Sequence, residues 1–115
     1  MADPTTTDPD KYSVVFENER VRVLEYRDEP GQRTSPRAHP DSVMVTLSSF
    51  ERRLTGASGE ERDFSLAAGE VRWLDAQTHS GANIGGSTTH VLFVELKDAR
   101  SEADGASDLL GPTGG

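Results

Sequence analysis

An all-β single domain, a closed barrel or a two-sheet sandwich, is the fold class the chain predicts, and three observations predict it. No segment sustains a helical period of apolar residues. Turn residues recur about every ten positions, the rhythm of sandwiches and barrels. Between them lie short runs in which apolar and polar side chains alternate. With 115 residues there is chain for one core and not for two ordinary domains. The alternating signal fills residues 11–97; residues 1–10 read as a flexible lead-in and 98–115 as a loosely packed acidic, Gly-rich tail.

Taken in order, Tyr12 to Glu17 is a short β-rich run, and Asn18-Glu19 turns it into a second strand over Arg20 to Arg27. Asp28 to Pro36, with two Pro and a Gly, is loop. Pro40 forces His39 into extended backbone, so Arg37 and His39 share one face. Ser42 to Ser48 alternates again. Phe50 to Thr55 and Arg62 to Leu66, joined through Gly56 to Glu60, carry a hairpin signature. Ala67-Ala68-Gly69 turns into the Val71, Trp73 strand, and Gly81 to Ser87, with three Gly, reads as the next turn. Thr88 to Lys97 is the most strongly β-forming run in the chain.

Composition removes several functional classes. A formal net charge of -8 argues against nucleic acid or an anionic membrane as partner, since both demand basic patches. The absence of Cys excludes disulfides, thiolate metal sites and thiol chemistry. No secretory leader and no apolar run of bilayer length is present, so a cytoplasmic protein is expected.

Chemistry is expected near Gly69 to Asn83, which holds the single Trp and one of the three His. Gln77 and His79, two apart, point the same way on a strand, as Arg37 and His39 do. The two pairs converge if the strands close into a barrel. Trp73 reads either as packing or as a surface for substrate. Arg37 has two readings as well: a cavity cation, or a residue at the barrel mouth with its head in solvent or paired with Asp41. His90 opens the last strand on the face of Leu92 and Val94, at a rim or at an exposed strand end. Tyr26 is a candidate phenol donor and Glu95 a candidate carboxylate base, Asn83 a turn organiser, and the acidic pairs Glu60-Glu61 and Asp8-Asp10 solvated surface.

These residues resemble the cupin superfamily, small jelly-roll barrels whose two motifs line the interior. The first motif, Gly, five residues, then His-x-His and a Glu, is met by Gly31 and by Arg37-Ala38-His39; the second, with Gly, Pro, and a His three residues before Asn, by Gly69, Asp75, His79 and Asn83. The resemblance covers about residues 11–97 and extends to cupin-type polyketide cyclases. Departures are specific: Arg37 stands at the first His, Val43 or Met44 at the Glu, Asp75 at the Pro, and the second-motif His comes one residue early.

The resemblance implies a cavity for a small or medium carbonyl or enol compound and a reaction of cyclisation or isomerisation type. His39, His79 and Arg37 would be catalytic, and Arg37, Gln77, Trp73 and Tyr26 would touch substrate. His39, His79 and Gln77 could hold one divalent metal (Zn, Fe or Ni), whereas a protonated guanidinium at Arg37 has no lone pair for a metal and repels one. In its place Arg37 could hold a carboxylate bidentately or stabilise an enolate. The alternatives are a binding module with a degenerate metal site and a metal-dependent dioxygenase. The resemblance also implies a homodimer, paired through an edge strand such as Tyr12 to Glu17.

Overall fold

The computed structural model describes residues 3–97. Nine strands form two antiparallel sheets packed face to face: β1 (Tyr12–Glu17), β2 (Val21–Asp28), β3 (Arg37–His39), β4 (Ser42–Thr46), β5 (Phe50–Gly56), β6 (Glu61–Leu66), β7 (Val71–Leu74), β8 (Gln77–Asn83) and β9 (Thr89–Leu96). Their order is β1-β2-β9-β4-β7 in the first sheet and β3-β8-β5-β6 in the second. This is the all-β architecture the alternation predicts and the jelly-roll the resemblance implies. The tail beyond residue 97 lies outside the described residues.

Alternation decides which side chains enter. On β2, Leu24, Tyr26 and Asp28 are buried, and they meet Val91, Tyr12 and Phe50 in the core. Met44, Leu66 and Phe93 pack against this cluster. The apolar core is small, and the rest of the interior is polar: Arg37, Arg52, Asp28, Ser42, Thr46, His79, Asn83, Thr89 and Glu95 are all buried. A buried polar group is costly unless it is hydrogen-bonded, so this interior is held by a bonded network.

At one end that network is closed. Arg52 Nη1 donates to Asp28 Oδ2 at 2.7 Å and to Thr89 Oγ1 at 3.2 Å, and Arg52 Nη2 to the Tyr26 hydroxyl at 3.3 Å. Tyr26 donates to the same Asp28 oxygen, and Asn83 Nδ2 reaches Asp28 Oδ1 at 3.1 Å. Asn83 does organise the following turn, accepting from Gly85 N at 3.1 Å, but it also braces the interior.

Two segments differ from the sequence reading. Gly81 lies inside β8, not in a turn, because the strand needs a residue without a side chain there: a Cβ would sit 2.9 Å from Arg52 Nη2 and 3.1 Å from Leu54 Cδ2. The lead-in contains a helical turn, α1 (Pro4–Thr7), capped by Asp3 and tied down through Arg22 Nη2 to Asp3 Oδ1 at 2.6 Å. Asp8 is not solvated surface: it is buried and accepts from Ser35 N at 3.2 Å.

Outside, the first sheet carries an in-register apolar row over all five strands: Phe16, Val23, Val94, Val43 and Trp73. Phe16 is 53% and Trp73 52% exposed, so none of the described residues covers either end of it. Among the described residues β1 pairs only with β2 and leaves its other edge open.

Removing one partner of a buried ion pair strands the other charge, at about 3–5 kcal/mol. Arg52→Met and Asp28→Asn are each expected to lower the urea midpoint by an amount of that order, with the double variant recovering part of the loss. Additive effects would show that the pair does not act as a unit.

Candidate functional site

Three residues of β3 pair with the start of β8: Arg37 opposite His79, Ala38 opposite Thr78, His39 opposite Gln77. On one face of this short ladder Arg37, His39, Gln77 and His79 look into a single cavity of about 830 Å³. Its far wall is the inner face of the first sheet, with Ser42, Met44, Phe93 and Glu95. The volume is in the range that takes an organic ligand.

The two imidazoles touch. His39 Nε2 and His79 Nε2 are 3.2 Å apart, with ring centroids at 4.7 Å and planes tilted by 58°. His39 Nδ1 lies 3.1 Å from the Pro40 carbonyl, which can only accept, so Nδ1 carries the proton. A neutral His39 then presents a bare Nε2, and His79 Nε2 is the donor between them; the tautomers follow from the network. Burial, with the Arg37 guanidinium and His39 beside it, pushes His79 down to about 3. Burial also lowers His39, seconded by Arg37. Both rings are neutral at physiological pH.

Arg37 is 6% exposed, which removes the reading of a head in solvent at the barrel mouth. Nε donates to the Tyr12 hydroxyl at 3.0 Å, and Nη1 to Thr34 Oγ1 at 2.8 Å and to the His79 carbonyl at 3.0 Å. No carboxylate of the described residues, Asp41 included, forms an ion pair with it. Asp41 instead accepts from Ala76 N at 2.8 Å.

The remaining sequence candidates divide. Tyr26 lines the cavity, but its hydroxyl is held by Asp28 and Arg52, and burial raises its pKa. Gln77 is exposed at the entrance, its amide nitrogen 3.3 Å from the Asp75 carbonyl. Trp73 turns its face outward on β7 and meets the cavity only at the rim, with Nε1 on Asp75 Oδ1 at 2.8 Å. His90 faces outward from β9 and bonds Glu25 Oε2 at 2.6 Å, away from the cavity. Glu95 is buried in the far wall, raised by that burial, and held by Arg22 Nε at 2.8 Å. Sequence reasoning missed Arg52, Asp28 and Thr34. The signal was available for the first two: each sits in phase with apolar neighbours, Phe50 and Leu54 for Arg52, Leu24 and Tyr26 for Asp28.

The donor set can be tested against a metal. Two imidazole nitrogens at about 2.1 Å from one cation stand roughly 3.2–3.4 Å apart, so this pair has the spacing of neighbouring ligands. Gln77, the third expected ligand, lies exposed at the entrance with its amide on the Asp75 carbonyl. Met44 faces the cavity at the position where the family's Glu would be, and no group of three His, Asp or Glu among the described residues is placed to hold an ion. The buried cation of Arg37 adjoins the pair. The residues present do not fit a resident metal, and no step below passes through one.

Solved structures share this architecture. A cupin domain from Bordetella pertussis is 26% identical with a TM-score of 0.69, over 75% of this chain and 91% of that one. A protein with a double-stranded β-helix domain from Klebsiella pneumoniae gives 22% and 0.60, over 75% and 70%. The polyketide cyclase RemF from Streptomyces resistomycificus gives 17% and 0.56, over 76% and 64%. No family model and no curated protein matches the chain. The chain is a small cupin by fold; at 17% identity the likeness to the cyclase shows that fold alone.

The neutral pair carries a pH signature. Its folded-state values lie below the unfolded value of about 6.5, so the unfolded chain binds more protons between pH 6.5 and 3. The stability contributed by these imidazoles is therefore complete above about pH 6.5 and is lost as pH falls toward 3. His79→Gln is expected to flatten the plot of unfolding free energy against pH in that window, by up to about 1.4 kcal/mol per pH unit for one proton. Parallel plots for variant and parent would contradict a neutral buried His79.

Proposed function

We propose that this cupin is an enzyme acting on a small or medium carbonyl or enol compound, moving a proton to cyclise or isomerise it without a metal. One observation carries the reading: two facing neutral imidazoles beside a buried guanidinium that no carboxylate of the described residues pairs with, all on one cavity wall. Polyketide cyclisation, the activity in the name of one fold neighbour, belongs to this reaction class.

The chemistry follows from the atoms. Substrate entering the cavity displaces the contact between the rings and frees the lone pair of His39 Nε2. That nitrogen takes a proton from the carbon next to the carbonyl and becomes an imidazolium, held in place by its Nδ1–H bond to Pro40. The electron pair passes to the carbonyl oxygen as an enolate, whose charge Arg37 stabilises in a water-poor hollow. His39 returns the proton to a different atom of the same molecule, so no net proton or electron is consumed. His79, far less basic, sets the position of the His39 ring and does not compete for the proton.

The test uses ethyl acetoacetate in deuterated buffer containing a chelator. Protein is expected to speed exchange of the protons between its carbonyls about 10²–10⁴-fold over buffer, the usual worth of a positioned acid–base group. Replacing both His39 and His79 by Ala should abolish the acceleration while the thermal unfolding transition persists. Exchange that survives in the double variant, or that vanishes on chelation, contradicts the reading.

The assembly proposed is a homodimer, a second copy covering the apolar row that ends in Trp73 and the open edge of β1. Light scattering should return twice the chain mass for the parent and a lighter, concentration-dependent mass for Trp73→Asp; a monomeric parent would remove it.

A further inference from the structure

Arg37 has a hydrogen-bonding pattern more selective than its charge alone. A guanidinium carries five N–H groups. Three are used inside the protein: Nε on Tyr12, and both hydrogens of Nη1 on Thr34 and the His79 carbonyl. Nη2 makes no hydrogen bond among the described residues. Each partner is itself fixed, since Thr34 Oγ1 also accepts from Gly81 N at 2.9 Å and the His79 carbonyl belongs to the β3–β8 ladder.

The contrast with Arg52 is informative. Both arginines are buried and both line the cavity. Arg52 has its carboxylate, Asp28, at 2.7 Å. Among the described residues Arg37 has none, and the imidazoles beside it carry no charge to offset it. An isolated buried cation costs several kcal/mol, so the anion that offsets it comes with the ligand.

Which anion fits is set by the two hydrogens left. A carboxylate is held best by a fork of two nitrogens, either Nη1 with Nη2 or Nε with Nη2. Both forks are blocked here, because Nη1 and Nε are already engaged. The two hydrogens left on Nη2 diverge, so any one oxygen takes a single N–H from it: a carboxylate loses its second bond here, whereas a more basic oxyanion of one oxygen loses nothing. This corrects the expectation that Arg37 would grip a carboxylate bidentately.

We infer that the cavity holds a specific subsite for one oxyanion oxygen, that of an enolate or phenolate, and that Arg37 Nη2 recognises it in preference to a carboxylate. The inference deepens the carbonyl and enol reading above, on which it rests for the class of compound. Tyr12 and Thr34 are the specificity-determining residues, since they close the two forks.

Two probes of similar size and equal charge separate the alternatives: 4-nitrophenolate and 4-nitrobenzoate, titrated in mildly alkaline buffer by calorimetry, with the visible band of the phenolate followed in parallel. The phenolate is expected to bind with one site per chain, to shift its band, and to bind at least about tenfold tighter than the benzoate. Arg37→Gln should lose about tenfold or more for the phenolate and bring the two probes level, with circular dichroism verifying the fold. Should Arg37→Gln fail to fold, Arg37→Lys serves: it keeps the cation and several N–H groups on one nitrogen, and should retain the preference for phenolate. Equal or tighter benzoate binding, phenolate binding indifferent to Arg37→Gln, or no binding of either probe overturns the inference. Selective phenolate binding by a protein that exchanges no protons of ethyl acetoacetate would leave the subsite standing and remove only the proton-transfer reading.

Discussion

The three-residue pairing of β3 with β8 is the constraint on which the rest depends. Arg37 lies opposite His79 and His39 opposite Gln77, so one short ladder fixes the cation, both imidazoles and the entrance amide on a single wall. Side chains alternate strictly along a strand, and a slip of β3 by one residue would turn Arg37 and His39 outward. The register is pinned from several sides. Arg37 donates across the ladder to the His79 carbonyl, Thr34 and Gly81 exchange bonds just upstream, and Arg33 bridges to Ala82. The bonds that hold the site in register are thus the same ones that consume the Arg37 donors.

Two buried arginines divide the interior into a structural end and a chemical end. Around Arg52 the charge is closed by Asp28, with Tyr26, Thr89 and Asn83 bonded into the same network, and Gly81 makes room for the guanidinium. Such a closed network specifies packing where the apolar core is small. Arg37 lines the same cavity with no carboxylate of the described residues paired to it. Burial, aided by this cation, holds the nearby imidazoles neutral, and the cation itself makes an anion welcome. In cupins with a metal cage a dication does this work; here a side chain with the same sign of charge stands where the first ligand would be.

Much of this was legible in the sequence. Alternation and turn residues located eight of the nine strands closely, and Pro40 settled the shared face of Arg37 and His39. The strand containing Gly81 was misread from Gly81 onward, because a glycine that permits close approach of Arg52 looks, in one dimension, like a glycine that permits a turn. The helical turn after Asp3 escaped although Asp3 caps it and Pro4 opens it, because four residues show no helical period and the tie to Arg22 is distant in sequence. The partners of Arg37 were illegible for a similar reason. Tyr12 and Thr34 come from a strand and a loop whose approach only the closed barrel decides. His90 and Trp73 showed the limit of residue type as a guide, since register sends both outward from the cavity face.

The claim beneath this account is that His39 and His79 are a neutral pair sharing one proton beside an uncompensated Arg37. Long-range ¹⁵N–¹H correlation of the imidazole rings at neutral pH, recorded with and without a chelator, tests it most directly. The account predicts two neutral rings, His39 protonated at Nδ1 and His79 at Nε2, with spectra unchanged by the chelator. Imidazolium signals from either ring, or Nε2 shifts of metal coordination that the chelator abolishes, would contradict it.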